Sequence, residues 1–139
     1  MKRRIAHLAI WTRDLERVKD FYMHYFGMES GEKYSNRAKH FSSYFLTFAG
    51  GETALELMHR PDMAVSPGEY TGQSGLTHFS IAVESKPQVE HLTDRLRADG
   101  FRIVGEPRTT GDGFFESVVE DCEGNTVEIS FCPENSFSE

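Results

Sequence analysis

The stretch Ile5-Ala6-His7-Leu8-Ala9-Ile10-Trp11 returns, altered but legible, as Leu76-Thr77-His78-Phe79-Ser80-Ile81-Ala82-Val83. Both alternate with the period of a strand. In the first, Leu8 and Ile10 point one way while His7, Ala9 and Trp11 point the other. In the second, Phe79, Ile81 and Val83 share a face, and His78, Ser80 and Ala82 share the opposite one. Each is predicted to be a strand with one greasy face and one face of small residues plus a His. The echo makes the chain two copies of one unit.

Outward from each strand the two halves stay in step. Leu15, Val18, Phe21, Tyr22, Tyr25 and Phe26 recur at helical spacing, and Gly27 is a natural stop. The second helix is expected to start at Ser85, with Gln88 completing a capping box and Pro87 in the first turn. Val89, Leu92 and Leu96 form its expected buried stripe, and Gly100 ends it. Three strands are predicted after each helix: Met28 to Lys33, Phe41 to Phe48 and Thr53 to Met58, then Arg102 to Pro107, Phe114 to Glu120 and Thr126 to Phe131. Gly50-Gly51 and Glu123-Gly124-Asn125 are the expected turns. The fold class is therefore α+β, with two βαβββ modules forming curved mixed sheets. Module one covers residues 4–58 and module two 76–131, within a single domain of 1–139. The Pro-, Gly- and Ser-rich run from Arg60 to Gly75 reads as the linker.

Composition narrows the function classes. The chain has 139 residues, 38% hydrophobic and 27% charged, as a globular protein does. Its net charge of −7 argues against nucleic acid, which needs clustered Lys and Arg. The basic run Lys2-Arg3-Arg4 is followed by a short apolar stretch broken by His7, with no small-residue cleavage site, so no signal peptide is expected. No apolar stretch is long enough for a bilayer, so no membrane is expected and the cytoplasm is the expected compartment. Cys122 and Cys132 have no CxxC spacing and are expected as reduced thiols.

The last strand of each module carries the chemistry. In Ala54-Leu55-Glu56-Leu57-Met58, the two Leu take the core face and leave Glu56 on the other. In Thr126-Val127-Glu128-Ile129-Ser130, Val127 and Ile129 leave Glu128 likewise. His7 and Glu56 are 49 residues apart, and His78 and Glu128 are 50 apart. A carboxylate between apolar strand neighbours is costly to bury unless something pairs with it. A single Glu or His so placed is more often salt-bridged, structural or solvated. Four of them at repeat-equivalent positions point to one divalent metal ion held by His7, Glu56, His78 and Glu128. Imidazole and carboxylate suit nickel, zinc, cobalt, manganese or ferrous iron. Without Cys the set is not a thiolate-rich structural zinc site, and open positions leave room for a substrate.

These residues, from Arg4 to Phe131, resemble the glyoxalase/bleomycin-resistance/dioxygenase group, the vicinal oxygen chelate superfamily. The resemblance is carried by His7 in HLAIWTRDLERVKDFYMHYFGM, Glu56 in LEL, His78 in LTHFSIAV and Glu128 in EDCEGNTVEIS. The order His, Glu, His, Glu is similar to that of glyoxalase I-like lyases. Epimerase relatives tend to have Gln at the position of Glu56, while extradiol dioxygenases and fosfomycin-modifying thiol transferases use only His, His and Glu. The resemblance implies isomerisation of a hemithioacetal, made from a 2-oxoaldehyde and a thiol, by proton transfer through a metal-stabilised enediolate. It implies Glu128 as the base, with Glu56 a ligand that acts on the opposite face. It also implies homodimers, with His7 and Glu56 of one subunit meeting the partner's His78 and the partner's Glu128. Closure of the two modules within one chain is the alternative.

The chain departs from glutathione-dependent relatives where they hold the thiol. Trp11 stands where those relatives carry an Arg, Met58-His59-Arg60 where they carry an Asn, Thr110 near an expected Lys, and DCEG in place of DPDG. These departures count against glutathione as co-substrate. Arg60, Arg108 or Arg37 is available for an acidic substrate group instead, although each is more often just a solvated surface charge. His24, His40, His59 and His91 are not expected to be ligands, and His59 falls on the core side by alternation. Phe41 and Phe45 are candidates for an apolar wall, and Trp11 shares the face of His7. The competing readings are a metal-dependent thiol transferase or other isomerase, and a metal-free drug-binding protein of the bleomycin-resistance kind. Substrate specificity is expected in the loops Tyr34–His40 and Pro61–Ser74.

Overall fold

The computed structural model describes residues 3–63 and 74–133. The chain divides into two compact units, Met1–Pro67 and Gly68–Glu139. In the first lie β1 (His7–Trp11), α1 (Leu15–Phe26), β2 (Glu29–Ser30), β3 (Tyr34–Asn36), β4 (Phe41–Thr47) and β5 (Ala54–His59). In the second lie β6 (Phe79–Ala82), α2 (Lys86–Ala98), β7 (Ile103–Thr109), β8 (Phe115–Glu120) and β9 (Thr126–Phe131). The architecture is α+β, with two open mixed sheets.

The sheets follow one plan. Strand order is β1-β5-β4-β2 in the first, with β3 also on β4, and β6-β9-β8-β7 in the second. In each, the first strand pairs in parallel with the last, and the remaining pairings are antiparallel. A strand-to-last-strand parallel pairing needs a crossover, which the helix and the middle strands supply.

Alternation sends apolar residues to the helix side. Leu46, Leu55 and Leu57 are buried in unit one with Val18, Phe21 and Tyr22 of α1. Val119, Val127 and Ile129 are buried in unit two with Val89 and Leu96 of α2. The helix ends have local causes. Asp14 caps α1 by accepting from Arg17 N–H, and Gly27 closes it in the left-handed region at φ 69°. Ser85 caps α2 by accepting from Gln88 N–H at 3.3 Å, and the Gln88 side chain accepts from Glu84 N–H at 2.8 Å. The reciprocal bond therefore lands one residue earlier than in a standard capping box.

Three expectations need correction. The stripe of α2 is Val89, Thr93 and Leu96, with Leu92 only half-buried. Thr93 is tolerated inside because its hydroxyl donates to Val89 O at 2.6 Å and meets Ser117 Oγ at 2.7 Å. The expected strand Met28 to Lys33 shrinks to the two residues of β2, after which Gly31 N–H still reaches Phe45 O. The expected loop Tyr34–His40 contains a further strand, β3, which pairs with β4. Residues 64–73, the greater part of the expected linker and of the loop Pro61–Ser74, lie outside the described residues.

Candidate functional site

In unit two, Val127 and Ile129 are fully buried, so Glu128 between them must face the other way. β6 pairs in parallel with β9, with Phe79 level with Val127 and Ser80 with Glu128. His78 immediately precedes β6 and reaches the same face. Its Nε2 lies 3.0 Å from Glu128 Oε1. Glu128 is the better shielded of the two, with 18% of its side chain exposed against 37% for His78. Ser80 Oγ and Ser130 Oγ meet at 2.8 Å beside them.

A second acidic group joins this pair. Glu116 on β8 is opposite Ser130, two positions from Val118, which is opposite Glu128. Burial, followed by the charge and a hydrogen bond of Glu128, pushes the Glu116 carboxyl above the usual carboxylate range. Arg108 is its cross-strand partner on β7 and opposes the shift. Sequence reasoning did not single out Glu116. Alternation along Phe115–Glu120 was the available signal, since Ser117 and Val119 take the core side.

Unit one repeats the register. His7 is level with Ala54 on β5, Ala9 with Glu56, and Phe45 of β4 faces Glu56 from the other side. His7 and Glu56 therefore share a face, offset by two residues on neighbouring parallel strands. Among the described residues, neither side chain makes an ion pair or hydrogen bond; the His7 ring meets Phe45 edge-on at 5.5 Å. Trp11, on the same face, is 45% exposed and meets Phe41 edge-on at 6.2 Å. The Arg60 guanidinium lies over Trp11 at 4.7 Å and its Nε is 3.4 Å from Asp62. Arg60 is thus partly engaged within the unit. His24 and His91 are exposed on their helices. His59 turns to the core side, where its Nδ1 donates to Thr12 O at 2.8 Å.

Among the described residues, no group of three or more His, Cys, Asp or Glu side chains comes together as a metal-binding cluster. Each unit offers a His–Glu pair. The donors of unit two suit a shared cation. Two ligands about 2.1 Å from one ion and at right angles stand about 3 Å from each other. Glu56, half-buried between two buried Leu and without a partner among the described residues, is a carboxylate that gains from a cation. A His–Glu pair gathered on one sheet face can hold a metal and move a proton.

Comparison with known proteins places these observations. The family model for the Glyoxalase/Bleomycin resistance protein/Dioxygenase superfamily matches residues 4–129. The uncharacterized protein YqjT of Bacillus subtilis is 25% identical over 129 residues, 88% of this chain and 94% of that protein. Glyoxalase I of Leishmania major, described as trypanothione-dependent, is 26% identical, with 92% and 86% of the two chains covered and a TM-score of 0.71. Glyoxalase I of Zea mays is also 26% identical, with a TM-score of 0.73 over 91% of this chain; the match spans only 44% of the maize chain.

Proposed function

Because the chain belongs to the Glyoxalase/Bleomycin resistance protein/Dioxygenase superfamily, we propose that it is a metal-dependent lyase of the glyoxalase I type. Its substrate is the hemithioacetal of a 2-oxoaldehyde with a thiol. The observation that carries this reading is the 3.0 Å approach of His78 to Glu128, together with a second His–Glu pair in the matching register.

In this reading His7, Glu56, His78 and Glu128 hold one divalent ion, nickel, zinc, cobalt or manganese. When bound, the ion supplies Lewis acidity toward the two substrate oxygens. Glu128 removes the proton from the carbon that bears the thiol and returns it to the neighbouring carbon. The hydroxyl proton moves to the adjacent oxygen, so the hemithioacetal becomes a 2-hydroxy thioester with no net gain or loss of atoms. Glu56 serves the opposite face. Phe45 and Trp11 form an apolar wall that keeps water from the reacting carbons. The proposed assembly is a homodimer in which each site takes one pair from each subunit, as the resemblance implies. A cytoplasmic setting is part of this reading; two Cys without a CxxC spacing suit a reducing compartment.

The thiol is not glutathione in this reading. Trp11 occupies the first-strand position where glutathione-dependent relatives are expected to carry a cation. The Leishmania enzyme, described as trypanothione-dependent, is a precedent for another thiol. A second reading, a metal-free binder of a flat apolar drug, draws on the exposed rings of Trp11, Tyr34 and Phe45. The test is turnover of methylglyoxal with a panel of thiols after loading with each metal. Metal-dependent thioester formation supports the lyase. Metal-free protein that binds aromatic ligands and shows no turnover with any thiol supports the binder.

A further inference from the structure

A cleft of about 450 Å³ opens at one end of the first unit's sheet. Ser35, Ser42 and His59 line it and stand level across β3, β4 and β5. His59 is three residues beyond Glu56 on one strand, so the row lies on the sheet face opposite Glu56 and His7. Further along that face, Tyr44, Leu46, Leu55 and Leu57 are buried and apolar. At this end the pattern changes to two hydroxyls and an imidazole.

The turn from β3 to β4 adds charge. Arg37 lines the cleft and makes no ion pair among the described residues. His40 lines it too, and its φ of 51° makes it the one described non-glycine residue in the left-handed region. The turn is held by His40 N–H donating to Arg37 O and Lys39 N–H donating to Asn36 Oδ1, both at 3.2 Å. Glycine or Asn is the usual occupant of such a position, and a His kept there is a reason to look for a ligand.

His59 narrows the ligand. A carbonyl oxygen can only accept, so the bond to Thr12 O fixes the proton of the neutral ring on Nδ1 and leaves Nε2 as an acceptor. The complement of Arg37, two hydroxyls and an acceptor nitrogen is a tetrahedral oxyanion that carries a proton of its own. We infer that this cleft binds inorganic phosphate, as hydrogen phosphate, through Arg37, Ser35, Ser42 and His59. The site stands apart from the lyase reading, being on the other face of the sheet.

The test is titration of the intact protein at about pH 8, followed by the ring signals of His40 and His59 in NMR spectra. Inorganic phosphate, phenyl phosphate and sulfate are the probes. The three probes then carry similar charge, but only inorganic phosphate keeps a proton. Saturable shifts are expected with phosphate, about fivefold tighter than with sulfate, the worth of one hydrogen bond. Phenyl phosphate, a dianion with no proton at this pH, is expected to bind like sulfate; affinity above that of inorganic phosphate overturns the proposal. Arg37→Gln, an exposed turn position, is expected to weaken binding at least about tenfold, the loss of a charged hydrogen-bond donor. Ser42→Ala provides a second variant, and thermal melting checks both folds. Absence of saturable shifts, equal affinity for sulfate, or unchanged binding in Arg37→Gln overturns the proposal.

Discussion

His78 Nε2 and Glu128 Oε1 lie 3.0 Å apart on the face of β9 that buried Val127 and Ile129 leave free. The same two residues are assigned to the metal and to proton transfer, so their roles must separate on substitution. Glu128→Gln keeps an oxygen donor but loses the base. Turnover is expected to fall about 10²–10⁴-fold, the usual worth of general base catalysis. Metal content, read by elemental analysis of the loaded protein, is expected to fall far less. Turnover within a factor of about two of the wild type would remove Glu128 from the mechanism.

Glu116 tests the crowding of carboxyls beside that pair. Burial and the neighbouring Glu128 raise its affinity for a proton in the folded state. A folded-state value above the unfolded one favours folding below the unfolded value and disfavours it as pH rises through the folded one. Glu116→Gln removes that penalty. The metal-free variant is expected to melt higher than wild type at about pH 7 and to show no gain at about pH 3, where both states are protonated. A lower melting temperature at neutral pH contradicts the crowding.

Tyr44 tests how α1 is held to β4. Its hydroxyl donates to Glu16 Oε1 and Oε2 at 2.9 and 3.1 Å, and Lys33 and Lys19 Nζ lie 3.1 and 3.2 Å from the same carboxylate. Partial burial pushes the Glu16 carboxyl up, but the donors Lys33, Tyr44 and Lys19 outweigh it and the net direction is down. Its contribution to stability is therefore present above the unfolded value and lost as pH falls through the folded one. Tyr44→Phe is expected to cost about 1 kcal/mol at neutral pH and less in acid, read from urea unfolding. A cost that does not change with pH points to ring packing alone.

Gly27 tests the equivalence of the two helix ends. It sits at φ 69° with nothing within 4 Å of the position a Cβ would take. Gly27→Ala meets no clash, so its cost is conformational, about 1–2 kcal/mol. Gly100→Ala, at φ 90° and equally open, is expected to cost a similar amount. A neutral result at either site, read from thermal melts, breaks the parallel.

The duplicated plan was legible because its signals are local. Val127 and Ile129, or Leu55 and Leu57, declare a core face by alternation, and Gly27 and Gly100 end helices by backbone freedom. β3 escaped because Tyr34–Asn36 is short and polar; only its register against β4 makes it a strand. Thr93 escaped because its burial rests on Ser117, a partner 24 residues away. Glu116 escaped for a reason within the repeat itself. Phe45 faces Glu56 as Val118 faces Glu128, so Ser43 is the counterpart of Glu116. A search for matched pairs of ligands passes over a carboxylate present in one copy alone.

The most direct test is calorimetric titration of the metal-free protein with nickel and zinc, repeated for His7→Ala, Glu56→Ala, His78→Ala and Glu128→Ala. One ion per two half-sites is expected. Each substitution should weaken binding by more than the about 10–100-fold typical of losing an outer-shell partner. Wild-type affinity that survives loss of His7 and Glu56 would contradict a centre shared by the two copies.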